Sequence, residues 1–222
     1  MSLFTNPEIV RNARIQLRPR RMISAAVLCA AIEVALYYAF FHGGVNVASG
    51  STGYGGGPGL LHVILIIQAL VLVIGGGIAC LHAIQREKDQ NTFDFQRLTR
   101  LSPLELTLGK LFGPPLMAVF VFLCFIPAAI VGAVASRSSW TIILAAYVLL
   151  ILGSIVYDAF ALTISLFLRR GAVTWAILFY LVFVVITADR SASLYWGLGP
   201  VSPFFGIELA RESSWTLPVR HG

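Results

Sequence analysis

The sequence has few charged residues and few cysteines. Only 12% of its 222 residues are charged, about half the roughly 25% that is usual in soluble globular domains, while 58% are hydrophobic. Its three cysteines lie in apolar blocks without a CxxC or Cys/His spacing, so neither a zinc site nor a disulfide framework is indicated. The sequence also lacks a G-x-x-x-x-G-K-[ST] nucleotide motif, an HExxH motif and a Ser-His-Asp order. We therefore expect a chain without catalysis of its own.

The sequence contains several long apolar blocks. Each contains 17 or more residues, enough to cross about 30 Å of hydrocarbon as a helix. They predict an all-α integral membrane protein with a transmembrane domain over residues 22–190. The first block is too long for the roughly 7–15-residue core of a signal peptide. Five spans are expected, at 22–41, 60–84, 111–135, 140–168 and 172–188. Pro127 should bend the third span where a neighbouring helix can satisfy the freed carbonyl.

Residues 1–21 carry the signals of an amphipathic helix on the cytoplasmic side. Asn6 can cap it and Pro7 suits its first position. Arg11, Arg14 and Arg18 recur at spacings of three and four, so we expect them on one face, turned toward lipid phosphates. The alternative is a plain basic flank that only sets the topology.

The distribution of Lys and Arg predicts the orientation. Twelve lie in the N-terminal tail, the 85–110 loop and the Arg169-Arg170 pair, against four on the other side. The N-terminus is therefore expected in the cytoplasm, and the net charge of +6 indicates orientation rather than nucleic-acid binding. Residues 43–59, with eight glycines, read as a flexible external loop. Residues 191–222 read as an external aromatic-rich segment, which leaves either five spans or a chain lacking a sixth.

The loop between the second and third spans is the longest polar interval between apolar blocks. Residues 86–110 hold nine of the 26 charged residues. Asn91 or Thr92 can cap a short helix that ends near Arg100 and carries exposed apolar side chains. Ser102-Pro103-Leu104-Glu105 is a capping box that should start a second helix, running through Lys110 into the third span.

The residues of this loop carry a family resemblance. They are Arg86-Glu87-Lys88, Thr92, Leu98, Leu101-Ser102-Pro103, Glu105-Leu106 and Gly109-Lys110-Leu111. This pattern resembles the cytoplasmic loop of type 2 ATP-binding-cassette (ABC) permeases, with Asn91 where that family usually has Gly. The strong match covers about 30 residues. An N-terminal elbow helix followed by a first span matches the family more loosely, and the family's usual six spans are one more than expected here.

The resemblance implies a permease subunit in the cell membrane, of exporter type. It would pair with a second copy or paralogue and with cytosolic ATPases, which would bind ATP and Mg because this chain binds no cofactor. A coupling helix between spans 2 and 3 would dock on the ATPase. The implied coupling residues are Glu87, Thr92, Phe93, Asp94, Leu98, Leu101, Ser102, Pro103, Glu105, Gly109 and Lys110. The alternative is an ordinary charged cytosolic loop, as in a membrane anchor or assembly subunit.

Two acidic residues fall inside predicted spans. Glu33 is 12 residues beyond Arg21 and Asp158 is 11 residues before Arg169, which places both near mid-membrane. A charge there costs about 2.5–3.5 kcal/mol on insertion scales, so each acid should face protein or water. One hypothesis is that both line a passage, as permease residues or as the proton carriers of a secondary transporter. The other is that both are neutral and serve packing, bonded to groups such as Ser154, Thr163 or Gln68.

Overall fold

The computed structural model describes residues 7–44, 47–49, 52–54, 56–89, 103–136, 139–168 and 173–188. These ranges are helical apart from one short hairpin. The helices are α1 (Pro7–Gln16), α2 (Pro19–Phe41), α3 (Gly56–Leu70), α4 (Gly77–Asp89), α5 (Pro103–Phe112), α6 (Leu116–Cys124), α7 (Ile126–Ser136), α8 (Trp140–Phe167) and α9 (Val173–Ala188), and a π-helical segment, Val71–Gly76, joins α3 to α4. The hairpin pairs β1 (Val47–Ser49) with antiparallel β2 (Thr52–Tyr54), inside the stretch that was expected to be a flexible loop.

Four helical stretches are long and apolar enough to cross a membrane. They are Pro19–Phe41, Gly56–Asp89, Leu116–Ser136 and Trp140–Phe167. Their order and positions follow the first four predicted spans, and they indicate a multi-pass membrane protein. At the place of the predicted fifth span, α9 has 16 residues, or about 24 Å of helix, which is shorter than the hydrocarbon core. The fifth span therefore stays a prediction.

The N-terminal segment forms two helices instead of one followed by a span from residue 22. α1 begins at Pro7, as predicted, and α2 begins at Pro19. Between them Arg18 has an extended backbone, with φ −69° and ψ 137°. The expectation that Arg18 shares a helix face with Arg11 and Arg14 was therefore wrong, because α1 ends at Gln16.

One long helical stretch forms the axis of the fold. Together α3, the π-helical segment and α4 cover the 34 residues Gly56–Asp89, about 50 Å at 1.5 Å per residue. Along this axis α3 packs against α7 and α2, the π-helical segment against α6 and α8, and α4 against α8 and α9. The stretch is therefore longer than the roughly 30 Å hydrocarbon layer needs, and its end at Asp89 extends beyond the predicted span.

Glycine lets the backbones of α3 and α7 approach closely. A Cβ added at Gly132 would lie 2.9 Å from the backbone nitrogen of Leu61. One added at Gly57 would lie 2.6 Å from the Cβ of Ala135. Small residues at such contacts are typical of membrane helices, where packing rather than water exclusion drives association.

The third predicted span is interrupted twice. It starts at Leu116 rather than residue 111, because α5 ends at Phe112 before the turn at Gly113 and Pro114. The second break lies at Phe125, between α6 and α7 and two residues before Pro127. There the amide of Gln68 donates to the carbonyl of Phe122 at 3.2 Å. The predicted interruption near Pro127 is confirmed by this break. The carbonyl that Gln68 binds is that of Phe122, whereas the amide missing at Pro127 would have bonded the carbonyl of Leu123, four positions before it.

Candidate functional site

The two ends of the 85–110 loop meet in an ion pair. Glu87, near the end of α4, accepts a hydrogen bond from the Lys110 ammonium on α5, and their side chains are only 10% and 8% exposed. The guanidinium of Arg11 on α1 lies 3.9 Å from the same carboxylate, with its side chain 54% exposed. The Glu87–Lys110 contact is therefore the sheltered part of this cluster. Because it is sheltered, the loss of either partner would leave a poorly solvated charge behind.

Lys88 connects α4 to the last turn of α8. Its ammonium donates to the carbonyls of Ser165 at 2.7 Å, Leu166 at 2.9 Å and Leu168 at 2.9 Å. The last carbonyls of a helix have no intrahelical partner, and a cation near them also interacts favourably with the helix dipole. The position of α4 is thus coupled to the C-terminal end of α8.

A second pair of hydrogen bonds joins α4 and α8 about one helical turn before Lys88. Gln85 donates to the carbonyl of Ser165 at 3.1 Å, and the Ser165 hydroxyl donates to the carbonyl of Leu81 at 3.1 Å. Both side chains belong to fully buried residues. Buried polar groups that bond to backbone fix how two helices sit against each other, since an unmade bond there is costly. Together with Lys88 they hold α4 and α8 in one register.

Gln16 attaches α1 to the break between α5 and α6. Its side-chain nitrogen donates to the carbonyl of Gly113 at 3.4 Å, while its oxygen accepts from the backbone amide of Met117 at 3.2 Å. A Cβ at Gly113 would lie 2.7 Å from the side-chain nitrogen of Asn12, so glycine is what permits this approach. The N-terminal helix therefore packs on the segment that leads from the loop into the third span.

The structure describes only part of the set of implied coupling residues. Glu87 and Lys110 are brought together, Gly109 is buried beside them in α5, and Glu105 is half-buried one turn earlier. Pro103 starts α5, as the capping box predicted. The remaining implied residues, Thr92, Phe93, Asp94, Leu98, Leu101 and Ser102, lie outside the described residues.

Lys88, Gln85 and Gln16 were missed by the sequence reasoning. Lys88 belongs to the Arg-Glu-Lys run, but its partners lie 77–80 positions away. A basic side chain can bond to the last carbonyls of a helix. The sequence alone does not show that α4 and α8 are neighbours, so it could not predict this contact. Glutamines at the ends of apolar blocks were the one sequence hint, because such a group needs a partner when it is buried.

Asp158 is buried against the π-helical segment. It is 7% exposed, and its Oδ1 has no hydrogen-bond partner among the described residues. A Cβ at Gly76 would lie 2.8 Å from that oxygen. Beside it the Tyr180 hydroxyl of α9 donates to the carbonyl of Val73. The Val73 carbonyl also accepts from the backbone amide of Gly77. π turns inside α-helices are frequent at functional sites.

Glu33 occupies a different place. It is half-buried on α2, and its Oε1 also lacks a hydrogen-bond partner among the described residues. It lines a cavity of about 350 Å³ with residues of α3 and α7, including Leu60 and Pro127. The surroundings of Glu33 and Asp158 are therefore separate, and no described contact joins the two acids.

The groups proposed as packing partners for these acids are bonded elsewhere. Ser154 donates to the carbonyl of Ile151 and Thr163 to that of Ala159, both within α8. Gln68 accepts from the Tyr147 hydroxyl at 2.9 Å in addition to its bond at the α6–α7 break. Neither carboxyl therefore has a described bond to the partners that were expected for it.

Within the described ranges, no three residues of the His, Cys, Asp and Glu types lie close enough together to hold a metal ion. No protein-family model, curated protein or solved structure matches the chain.

Proposed function

We propose that this chain is the membrane-spanning permease subunit of an ABC transporter of exporter type. A separate cytosolic ATPase would bind ATP and Mg, and the 85–110 loop would couple its motion to translocation. The sequence resemblance of residues 86–111 is the starting point. The observation that carries the proposal is the sheltered Glu87–Lys110 ion pair, which joins both ends of that loop.

The contacts at the base of the loop give a route for force. A push on the loop would reach α4 through Glu87 and α5 through Lys110. From α4 it would pass to α8 by way of the three hydrogen bonds of Lys88. A loop that transmits motion must be held firmly to the helices at its two ends, as these contacts hold it. A loop that is merely solvated has no need of them.

The partners follow from the same proposal. Two permease subunits, either identical or paralogous, would assemble in the cell membrane with two ATPases. The N-terminus and the loop would face the cytoplasm, as the Lys and Arg distribution predicts. α1 would be the elbow helix of this family, lying at the membrane surface.

Co-purification tests the coupling role. A soluble Walker-motif ATPase encoded beside this chain should co-purify with the unaltered chain in detergent. Changing Phe93 and Leu98 to Asp should abolish co-purification, because charges would replace the apolar side chains that the predicted loop helix would dock with. The matched control changes Gln90 and Gln96 to Asp, which adds the same charge to the same loop without removing an apolar side chain.

Retained ATPase binding by the Phe93/Leu98 variant would contradict the docking model. Equal loss in both variants would also count against it, since bulk charge alone would then explain the effect. Melting temperatures of the purified variants show whether each one is folded.

Two alternatives stay open. A secondary transporter is favoured by the unpartnered buried oxygens of Glu33 and Asp158, because intramembrane acids often carry protons. Transport that requires a proton gradient and no ATPase would favour that alternative. A membrane anchor or assembly subunit would show neither activity while still binding a partner complex.

A further inference from the structure

A basic cavity opens between α1, α2, α4 and α5. Its volume is about 710 Å³, within the roughly 300–1,000 Å³ range of small-molecule sites. Arg11, Arg18, Arg21, Arg86 and Lys110 line it, with Glu87 as its acidic residue. Glu87 pairs with Lys110 and also lies 3.9 Å from Arg11, so the charges of Arg18, Arg21 and Arg86 remain to be balanced.

The arginines come from three segments that converge on one cavity. Arg18 and Arg21 stand at the start of the first span, and Arg86 follows the end of the second predicted span. Basic residues at span ends lie at the depth of lipid headgroups. Among the described residues, Arg18, Arg21 and Arg86 form no ion pair with an acidic side chain. The lining of the cavity therefore suits an anion, and the position of these arginines at span ends suits a lipid headgroup.

An apolar cavity continues from the basic one. It has a volume of about 420 Å³ and shares Gln16, Arg21, Ala79 and Pro114 with the basic cavity. Its other lining is apolar and includes Val71, Gly75 and Val121. Gly75 precedes Arg86 by 11 residues, which places it about 16 Å deeper along the helix. A charged mouth with an apolar extension toward the membrane centre matches a molecule that has an anionic head and a hydrocarbon tail.

We propose that these two cavities bind one anionic phospholipid, its phosphate among the arginines and an acyl chain beside the π-helical segment. Arginine suits the phosphate because its planar fork of donors can bind two phosphate oxygens at once. Basic pockets between membrane helices on the cytoplasmic side are a recognised way of binding such headgroups. A soluble phosphate shares the anionic chemistry, but it would leave the apolar cavity empty.

Lipid binding to the purified full-length chain tests the proposal. Binding of phosphatidylglycerol and phosphatidylcholine is titrated in detergent by native mass spectrometry. Phosphatidylglycerol should bind the unaltered chain more tightly. The double variant Arg18→Gln/Arg86→Gln should weaken that binding about tenfold or more, since each arginine near an anionic lipid contributes attraction.

The matched control is Arg14→Gln/Arg20→Gln. Both residues are exposed in the same N-terminal region but lie outside the lining of the basic cavity. The affinity of this control for phosphatidylglycerol should stay within about twofold of that of the unaltered chain. Surface charge outside the cavity should contribute little to binding inside it. If the Gln variant proves unfolded, Arg18→Lys/Arg86→Lys retains the charge and should retain the preference for phosphatidylglycerol.

Three results would overturn the proposal. Equal weakening in the cavity and control variants would show that surface charge alone attracts the lipid. Equal affinity for the two lipids would show that the anionic head is not recognised. Displacement of phosphatidylglycerol by millimolar inorganic phosphate would show that the site takes a soluble anion. None of these results bears on the coupling role of the loop.

Discussion

Three consecutive glycines, Gly75, Gly76 and Gly77, let other helices reach the axis of the fold. An added Cβ at Gly77 would overlap the Tyr180 side chain, and one at Gly76 would press on Asp158. At Gly75 the nearest neighbour would be the Cβ of Ala118, at 3.5 Å, an ordinary contact. Gly75 therefore has room for an alanine side chain, whereas Gly76 and Gly77 do not.

We expect Gly77→Ala to destabilise the protein and Gly75→Ala to leave its stability unchanged or raised. The first change forces Tyr180 away from the Val73 carbonyl, and overpacking of this kind costs about 1–3 kcal/mol. The second change meets no clash, and Ala is favoured over Gly in a helix by about 0.5–1 kcal/mol. Melting temperatures of the two purified variants in the same detergent provide the measurement. Matching temperatures would refute this account of the glycines.

Contacts among α1, α4 and α5 determine how changes of charge at the two ends of the 85–110 loop affect stability. The Glu87–Lys110 pair is sheltered, while Arg11 at the same carboxylate is half exposed. A sheltered pair and an exposed pair respond differently to the loss of one partner.

Reversing one charge of the sheltered pair should be strongly destabilising. Glu87→Lys or Lys110→Glu alone should each cost about 3–5 kcal/mol, because a like charge then faces its former partner in a poorly solvated place. The double reversal should recover most of that loss. Arg11→Gln is the control, with an expected cost below about 1 kcal/mol. The comparison uses melting temperatures of the four variants, and an absence of recovery in the double variant would show that the two residues do not act as a pair.

At this same scale, local chemistry predicted where several elements begin and end. Pro7 starts a helix, as predicted, because a missing amide and a fixed φ suit the first helical position. The break near Pro127 followed from the hydrogen bond that proline cannot make. By contrast, the turn at Gly113 and Pro114 was expected inside one helix. At that turn Gln16 bonds to the carbonyl of Gly113, although the two residues lie 97 positions apart.

For the whole molecule, the number and order of the first four spans were predictable because length and hydropathy are local properties. The arrangement of the helices was not. Which helix contacts which depends on side chains far apart in the sequence, as with Lys88 and Ser165. The same reason explains why Glu87 and Lys110 were both singled out but not recognised as a pair.

The orientation of the whole molecule is open to a direct test. In a variant with Cys29, Cys80 and Cys124 replaced, single cysteines at Ser2 and Ser51 report the two sides. A membrane-impermeant maleimide should label Ser51→Cys in intact cells and Ser2→Cys only after permeabilisation, since the more basic side faces the cytoplasm. The reverse labelling would place the 85–110 loop outside and remove it from the reach of any cytosolic ATPase.

The bonding of Lys88 also limits what its charge can do. A lysine ammonium carries three protons and no more. All three have a carbonyl acceptor at the end of α8. Lys88 therefore contributes its charge to the loop region and attracts anions from a distance, yet has no donor left over to bind one. An acidic partner would gain a direct bond from it only by exposing the last turn of α8.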